Sequence, residues 1–381
     1  MKQGILKSSS TYLVVAMCSA EVLNMIGIFA FPALLPEFIE EWGLSNTQAG
    51  WISGIYFAGY TFSVPVLASL TDRVDARRIY MVFAAVGALS TAGFGFFAHG
   101  FWTAMCFRII GGLGLAGTFV PGLKALVDRV ADEKGQARAI SFYTAFFSMG
   151  TSLSFFANGQ IGAMFGWRQA FILSSMGPVL ALIISFVFLK PVQHIAREKT
   201  APSLLDFRPV FRNRKTLGYI LAYTAHSWEL FAFRSWVVAF LTFSLGLQQS
   251  AREYWTPSTI AALTGIIAMW ASIGGAELSI RFGRRRVITV IMLGSALFAV
   301  SIGFTAGITY PVVAALCNVY AMFVQGESAA LHVGTVLTAA PDRRGSVMAA
   351  QSLLGFAGTS AGSIVFGMVL DATGGGQSIL S

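Results

Sequence analysis

The chain has 381 residues, of which only 11% are charged, 26 Lys and Arg with 17 Asp and Glu. An average soluble domain is about 25% charged. Hydrophobic residues make up 55% of this chain and its mean hydropathy is +0.69. A water-soluble globule of this length cannot bury so much apolar surface. Composition therefore excludes a soluble enzyme, a disordered chain and a secreted disulfide scaffold, and it indicates a polytopic membrane protein.

Apolar stretches long enough to cross the hydrocarbon core, which takes about 20 residues, recur along the whole chain. We count eleven: 11–33, 48–70, 79–98, 102–126, 139–163, 169–190, 216–245, 256–279, 286–306, 309–332 and 345–369. Lys2 and Lys7 precede the first stretch, as in a signal peptide. Its length, the presence of Glu21 and the spans that follow predict a retained helix instead. The predicted class is an all-α membrane protein with about 11 transmembrane helices.

One connection is long enough to separate two halves. Residues 191–215 lack an apolar span and are rich in Arg and Lys. We predict an N-terminal six-helix bundle over residues 1–190, a basic cytoplasmic linker over 191–215, and a C-terminal bundle of about five helices over 216–381.

The net charge of +9 has a topological explanation. With a cytoplasmic N-terminus, the inner segments and the span ends beside them hold 22 of the 26 basic residues, and the outer loops hold only Arg168 and Arg252. This bias predicts the orientation, and an odd number of spans then places the C-terminus outside. The excess charge is therefore no sign of a nucleic-acid partner. We expect the inner basic residues to contact anionic membrane lipids.

A basic segment recurs after the second and the eighth span. The first copy runs from Ala68 to Arg78 and the second from Ala276 to Arg286, so that Arg73 and Arg281 align 208 residues apart. Each copy lies between the second and third helix of its half, which indicates a duplicated helical unit.

These segments resemble the signature G-x-L-a-D-R-x-G-R-[KR] of the major facilitator superfamily of secondary transporters. The matching positions are Leu70, Asp72, Arg73, Arg77, Arg281, Gly283, Arg284 and Arg285. The departures are Ala68, Asp75 and Ala76 in the first copy and Ile280 in the second. Residues 108–114 resemble the family's R-x-x-x-G segment in helix four, and residues 166–171 resemble its G-W-R-x-x-F turn before helix six.

The resemblance implies two six-helix bundles around a central cavity that opens alternately to each side of the membrane. It also implies a twelfth helix, which the chain does not show before Ser381. Asp72, Arg73 and Arg77 are expected to gate the cytoplasmic side, because charge pairs at helix ends can form in one conformation and break in the other. For Arg284 and its neighbours, topological anchoring is the preferred interpretation.

Polar and charged residues inside the spans are the candidate binding residues, since a charge in the membrane is costly. The resemblance implies that helices 1, 4, 7 and 10 line the cavity. Those helices carry Glu21, Asn24, Arg108, His226, Glu229, Arg234, Gln325, Glu327 and His332.

Three of these side chains suggest particular roles. Glu21 lies roughly 15 Å into helix 1 by the helical rise, which suits a proton-binding site. Arg108 is positioned either to pair with Glu21 or to receive an anionic substrate. Arg234 is a candidate contact for a carboxylate, which guanidinium binds in bidentate fashion. The alternative for each is a structural ion pair between helices, and His332 is expected to be exposed near the cytoplasmic end.

The leading hypothesis is a monomeric secondary active transporter in the cytoplasmic membrane that moves a small, polar, anionic solute by proton symport. A drug/proton antiporter is disfavoured, because helix five has Ser154-Phe155 where that subclass carries Gly-Pro. A non-transporting membrane sensor or a truncated, inactive relative is the alternative. We predict no enzyme, metal or cofactor, since H-E-x-x-H, G-x-S-x-G, P-loop and Cys/His metal patterns are absent from the sequence.

Overall fold

A computed structural model describes residues 2–71, 73–130, 133–191, 207–248, 255–340 and 343–375. Every regular element in these ranges is a helix, so the predicted all-α class is confirmed. Asp72 of the first motif copy, Arg252 of the outer loops and residues 192–206 of the predicted linker lie outside the described ranges.

The helices before the predicted linker follow one another with short connections. They are α1 (Lys2–Met25), α2 (Ala30–Ala33), α3 (Leu35–Trp42), α4 (Asn46–Leu70), α5 (Ala76–Phe97), α6 (Phe101–Val127), α7 (Glu133–Phe165), α8 (Trp167–Ser174) and α9 (Met176–Phe188). The later helices are α10 (Arg208–Arg212), α11 (Arg214–Gly246), α12 (Pro257–Phe282), α13 (Arg284–Ile302), α14 (Tyr310–Gly326), α15 (Ser328–Thr338) and α16 (Arg344–Ala372).

Each of the eleven predicted spans falls on one helix or on two consecutive helices. Within the described ranges, eight helical segments are long and apolar enough to cross a membrane. They are Ala76–Phe97, Phe101–Val127, Trp167–Phe188, Arg214–Gly246, Pro257–Phe282, Arg284–Thr305, Tyr310–Thr338 and Arg344–Ala372. Thr11–Met25 is a shorter apolar helix. A polytopic membrane protein with about 11 transmembrane helices is consistent with this arrangement.

Polar residues define several helix ends. The Asn213 side chain accepts hydrogen bonds from the backbone N–H groups of Lys215 and Thr216, and so caps α11. Thr256 accepts from the N–H of Thr259 at the start of α12, where Pro257 occupies the first turn. Such caps satisfy N–H groups that have no partner within the helix. These caps explain why α11 begins at the end of the predicted linker, and why α12 begins at the predicted outer loop, rather than deeper in the apolar spans.

The described helices group into two compact units. Met1–Ala30 and Ala58–Thr200 form the first, and Phe31–Phe57 and Ala201–Ser381 form the second, each counted over its described residues. The first unit has an apolar core built from α1, α5, α6, α7 and α9. The predicted division at residues 191–215 stays a prediction.

Residues 31–57 pack within the second unit. The ring of Phe57 lies edge-on to Phe231, with 4.7 Å between the ring centroids. At the start of α4, the Asp371 carboxylate accepts hydrogen bonds from the backbone N–H of Asn46 at 3.0 Å and of Thr47 at 2.8 Å. The end of α16 therefore caps the beginning of α4.

Candidate functional site

Glu21 lies in the core of the first unit. Its side chain is 1% exposed, and its Oε2 accepts a 2.7 Å hydrogen bond from the hydroxyl of Tyr143 on α7. Its Oε1 is buried and has no hydrogen-bond partner in the described part of the chain. The surrounding core includes Met17, Cys18 and Ala20 from the same helix. Glu21 is therefore an acidic group in apolar surroundings, fixed by one donor.

Asn24, one turn further along α1, extends the same polar face. Its Nδ2 donates to the hydroxyl of Tyr80 on α5 at 2.8 Å. Tyr80 and Tyr143 are both fully buried, and sequence reasoning missed them. The available signal was a single tyrosine near the start of an otherwise apolar span, which is also common at lipid interfaces.

Helix 1 is interrupted directly after this face. Residues 26–29 form turns between α1 and α2. The freed carbonyl of Ile26 accepts hydrogen bonds from Ser154 Oγ at 2.6 Å and Asn158 Nδ2 at 2.7 Å, and the N–H of Phe29 donates to Ser154 Oγ at 3.0 Å. Non-helical backbone at membrane depth needs such partners, and it is typical of binding sites in transporters. Ser154 and Asn158 on α7 thus stabilise the interruption, a role that the sequence did not indicate.

Arg108 supports the same interruption. Its guanidinium is buried at 3% exposure, and its Nη1 donates to the carbonyl of Ile28 at 2.9 Å. The structure therefore places Arg108 at the unwound part of helix 1, where it stabilises the backbone.

The charged cluster of the first motif copy lies at the start of α5. Asp75 caps this helix by accepting from the N–H of Arg77 at 3.0 Å. Its carboxylate also pairs with Arg129 Nη2 at 3.2 Å, with both side chains largely buried. Arg129 Nε donates to the carbonyl of Lys190 at 2.8 Å, so the pair joins the ends of three helices. Sequence reasoning missed both members, although an acid at a position that the family fills with glycine was a usable signal.

The predicted gating residues differ in their contacts. Arg73 is exposed. Arg77 Nη2 donates to the carbonyl of Phe186 at 3.1 Å, and its guanidinium lies 5.4 Å from the centre of that ring.

In the second motif copy, Arg281 pairs with Glu277 one turn earlier at 2.9 Å, and both side chains are exposed. Gly283 has φ +88°, a conformation that side-chain-bearing residues rarely adopt. It separates α12 from α13, which begins at Arg284. This accounts for glycine at that motif position.

Glu327 interrupts helix 10 in the second unit. It separates α14 from α15, and its side chain is 1% exposed. Its Oε1 lies 3.4 Å from Nδ1 of His226 on α11, which is 2% exposed. Gly275 on α12 packs against the carbonyl of Gly326, so closely that a methyl group there would overlap it. The span predicted over 309–332 is therefore two helices with a buried acid between them.

Glu229 lies nearby on α11 with different partners. Its Oε1 accepts hydrogen bonds from Ser295 Oγ at 2.6 Å and from the hydroxyl of Tyr320 at 2.8 Å. Ser295 lies on α13 and Tyr320 on α14, so this carboxylate joins three helices. Neither donor was predicted, because hydroxyls in apolar spans are common and mostly bond to their own helix.

The second unit contains three further candidate residues, on α11, α14 and α15. Arg234 is 5% exposed, and its guanidinium lies 5.3 Å from the ring centre of Phe231. Gln325 is half-buried. His332 is exposed, as expected, and its ring lies tilted against Tyr223 with 4.6 Å between centroids. Of the candidates on helices 7 and 10, the structure brings His226 and Glu327 into direct contact.

Comparison with known proteins agrees with the fold. A family model described as Major Facilitator Superfamily matches residues 17–363. The chain is 26% identical over 379 residues to the uncharacterized MFS-type transporter YceJ of Bacillus subtilis (strain 168), covering 92% of this chain and 88% of that protein. It is 26% identical over 250 residues to protein spinster homolog 1 of Homo sapiens, covering 62% of this chain but only 47% of that protein.

A solved structure gives the same result for the fold. The crystal structure of a bacterial homolog to the human lysosomal transporter spinster, in an inward-facing and unoccupied conformation, superposes with a TM-score of 0.79. The superposition covers 96% of this chain and 83% of that chain at 18% identity. Because the family model covers most of the sequence and the helical fold agrees, the chain belongs to the Major Facilitator Superfamily and is a multi-pass membrane transporter.

Proposed function

We propose that this transporter moves a small, polar, anionic solute together with protons across the cytoplasmic membrane by alternating access. The observation that carries the proposal is Glu21, a carboxyl with 1% exposure inside the apolar core of the first unit. One oxygen is held by Tyr143, and the other has no partner among the described residues. Intramembrane acids of this kind are typical of proton relays in transporters.

The anionic character of the solute is supported by Arg234. It is a permanently charged group with 5% exposure in the second unit. Guanidinium recognises carboxylates and phosphates through paired hydrogen bonds, and it is the preferred cation at buried anion sites.

The orientation is supported by the charge distribution. The predicted cytoplasmic segments carry 22 of the 26 basic residues, which favours a cytoplasmic N-terminus and an inner-membrane location. With an inward proton gradient, the proposed symport corresponds to import.

Transport by purified protein in proteoliposomes tests the proposal. We expect an imposed inward proton gradient to drive accumulation of at least one member of a panel of radiolabelled mono- and dicarboxylates. Glu21→Gln should abolish gradient-driven accumulation but retain exchange of internal for external solute, because the solute site remains. The matched control is Glu40→Gln, an exposed acid outside the predicted spans.

The solute class is tested by Arg234→Ala, with the exposed Arg168→Ala as its control. We expect Arg234→Ala to abolish carboxylate uptake and Arg168→Ala to preserve it. Solute accumulation that is equal with and without the proton gradient would overturn the proposed proton coupling. Uptake unaffected by Arg234→Ala would overturn the anionic assignment. Carboxylate binding without any uptake would favour the alternative, a non-transporting sensor.

A further inference from the structure

Two glutamates of the second unit, the half-buried Glu229 and the buried Glu327, differ in their hydrogen bonds. Glu229 accepts from Ser295 and Tyr320. Glu327, with 1% exposure, has no hydrogen-bond partner for either carboxyl oxygen among the described residues. A buried carboxylate without donors is costly, whereas a neutral carboxylic acid is much less so. The geometry therefore suits a proton-bearing Glu327.

A proton acceptor lies beside Glu327. The Nδ1 of His226 is 3.4 Å from Glu327 Oε1 and has no hydrogen-bond partner in the described ranges. The pair lies outside hydrogen-bond geometry in the structure, and a proton on either atom would give the contact a donor and an acceptor. Transfer from the carboxyl to Nδ1 breaks one O–H bond, forms one N–H bond, and leaves a carboxylate beside an imidazolium.

Other titratable and charged groups act on this pair from both helices. Glu229 acts on Glu327, and Glu229, Arg234 and His332 act on His226. Two neighbouring carboxylates disfavour simultaneous ionisation.

A route to the exposed surface starts at the same histidine. The His226 ring lies 5.8 Å from the ring of Tyr223, and the ring of Tyr223 lies tilted against that of His332 with 4.6 Å between centroids. His332 is exposed. Histidine is the side chain best suited to accept and release protons near neutral pH.

We propose that Glu327 and His226 form a second proton site, independent of Glu21, that exchanges protons with solvent through His332. Glu327 lies between α14 and α15, and its carboxyl lies 3.4 Å from Nδ1 of His226 on α11. This inference deepens the proposed function, because a second proton site serves a transporter only when protons are coupled to the solute. Its test therefore detects protonation directly and does not depend on uptake.

Infrared difference spectroscopy of the full-length protein in lipid bilayers, recorded across a pH titration, detects the carbonyl stretch of a protonated carboxyl. In a Glu21→Gln background we expect one such band to remain. Glu327→Gln should eliminate it, and Glu229→Gln should leave it in place. Glu327→Asp should move the band without eliminating it, and this variant keeps the test decisive where Glu327→Gln does not fold.

Two histidine variants test the rest of the site. His226→Asn should shift the titration midpoint of the band by about one pH unit, a tenfold change in proton affinity. His332→Gln should slow the appearance of the band after a pH jump and leave its midpoint in place. A band that survives Glu327→Gln, or that disappears in Glu229→Gln, would overturn the assignment. An unchanged midpoint in His226→Asn would remove His226 from the site.

The two proposals fail in distinguishable ways. In one outcome the infrared band is assigned to Glu327 but uptake does not depend on the proton gradient. Glu327 would then be a proton site without coupling, and the proposed symport would be overturned. Gradient-driven uptake with no band attributable to Glu327 would retain the symport and overturn the second site.

Discussion

The carboxyls inside the predicted spans of this transporter differ in the number of hydrogen bonds they accept. Glu229 accepts two, Glu21 accepts one, and Glu327 accepts none from the described residues. The protein therefore surrounds these three acids differently, although each is an acid in an apolar stretch of the sequence.

Tyr143→Phe tests the partner of Glu21. Loss of the hydroxyl leaves the buried carboxyl without the one donor it has in the described part, so we expect the free energy of unfolding to fall by about 1–3 kcal/mol. Chemical unfolding in detergent measures this change. Tyr12→Phe removes a hydroxyl from a side chain that is 67% exposed, and it should leave the stability unchanged. Equal effects of the two variants would contradict the role given to Tyr143.

At the residue scale, the sequence could identify acids and bases inside apolar spans but not their partners. Glu21 is conspicuous because a charge in lipid is rare. Tyr143 is 122 residues away and has a side chain that is common at membrane interfaces. Which hydroxyl reaches which carboxyl depends on packing of helices that are distant in the chain.

Two membrane helices of this protein are interrupted next to their candidate residues. Helix 1 is unwound over residues 26–29, and helix 10 is divided at Glu327. Apolar composition continues through both places, so a hydropathy pattern predicts single spans. The interruptions are stabilised by tertiary partners, namely Ser154, Asn158 and Arg108 for helix 1 and the close approach of Gly275 for helix 10.

Gly275→Ala tests the packing around the interruption of helix 10. Its methyl group would overlap the backbone carbonyl of Gly326, which cannot move as a flexible side chain can. We expect the unfolding free energy to fall by about 3 kcal/mol, at the upper end for overpacking. The neighbouring Gly274→Ala has open space around it and should have no such cost. Chemical denaturation of both variants measures the two unfolding free energies. Equal values would refute the close contact between Gly275 and Gly326.

Asp371→Ala tests the cap that joins α16 to α4. The carboxylate accepts from two backbone N–H groups at the start of α4, so its loss should lower the unfolding free energy by about 1 kcal/mol. Asp128→Ala is the control, because within the described ranges that acid forms an exposed pair with Lys124 one turn away. We expect the melting temperature of Asp371→Ala to be lower than that of Asp128→Ala. A melting temperature for Asp371→Ala equal to that of Asp128→Ala would argue against the cap.

At the scale of the whole molecule, the charge distribution predicts the orientation in the membrane. The predicted inner segments and neighbouring span ends hold nearly all the basic residues that lie outside the membrane core. Basic residues remain on the cytoplasmic side during insertion, so this asymmetry needs no tertiary contact.

Cysteine labelling tests this topology. In a background with Cys18, Cys106 and Cys317 replaced, we expect His99→Cys to react with a membrane-impermeant maleimide in intact cells. Arg285→Cys should react only after permeabilisation. Both positions are exposed on their segments. The reverse pattern of labelling would invert the orientation and refute a cytoplasmic N-terminus.

The sequence by itself determined the all-α membrane class, the approximate number of spans, the expected orientation and the resemblance to the superfamily. These follow from the length of apolar segments, from the cost of charge in lipid and from short local motifs, all of which depend on neighbouring residues. Only the tertiary structure decided that Tyr143 binds Glu21, that Arg129 pairs with Asp75, and that Glu327 lies against His226. These contacts join residues many positions apart, and their geometry depends on how the helices pack.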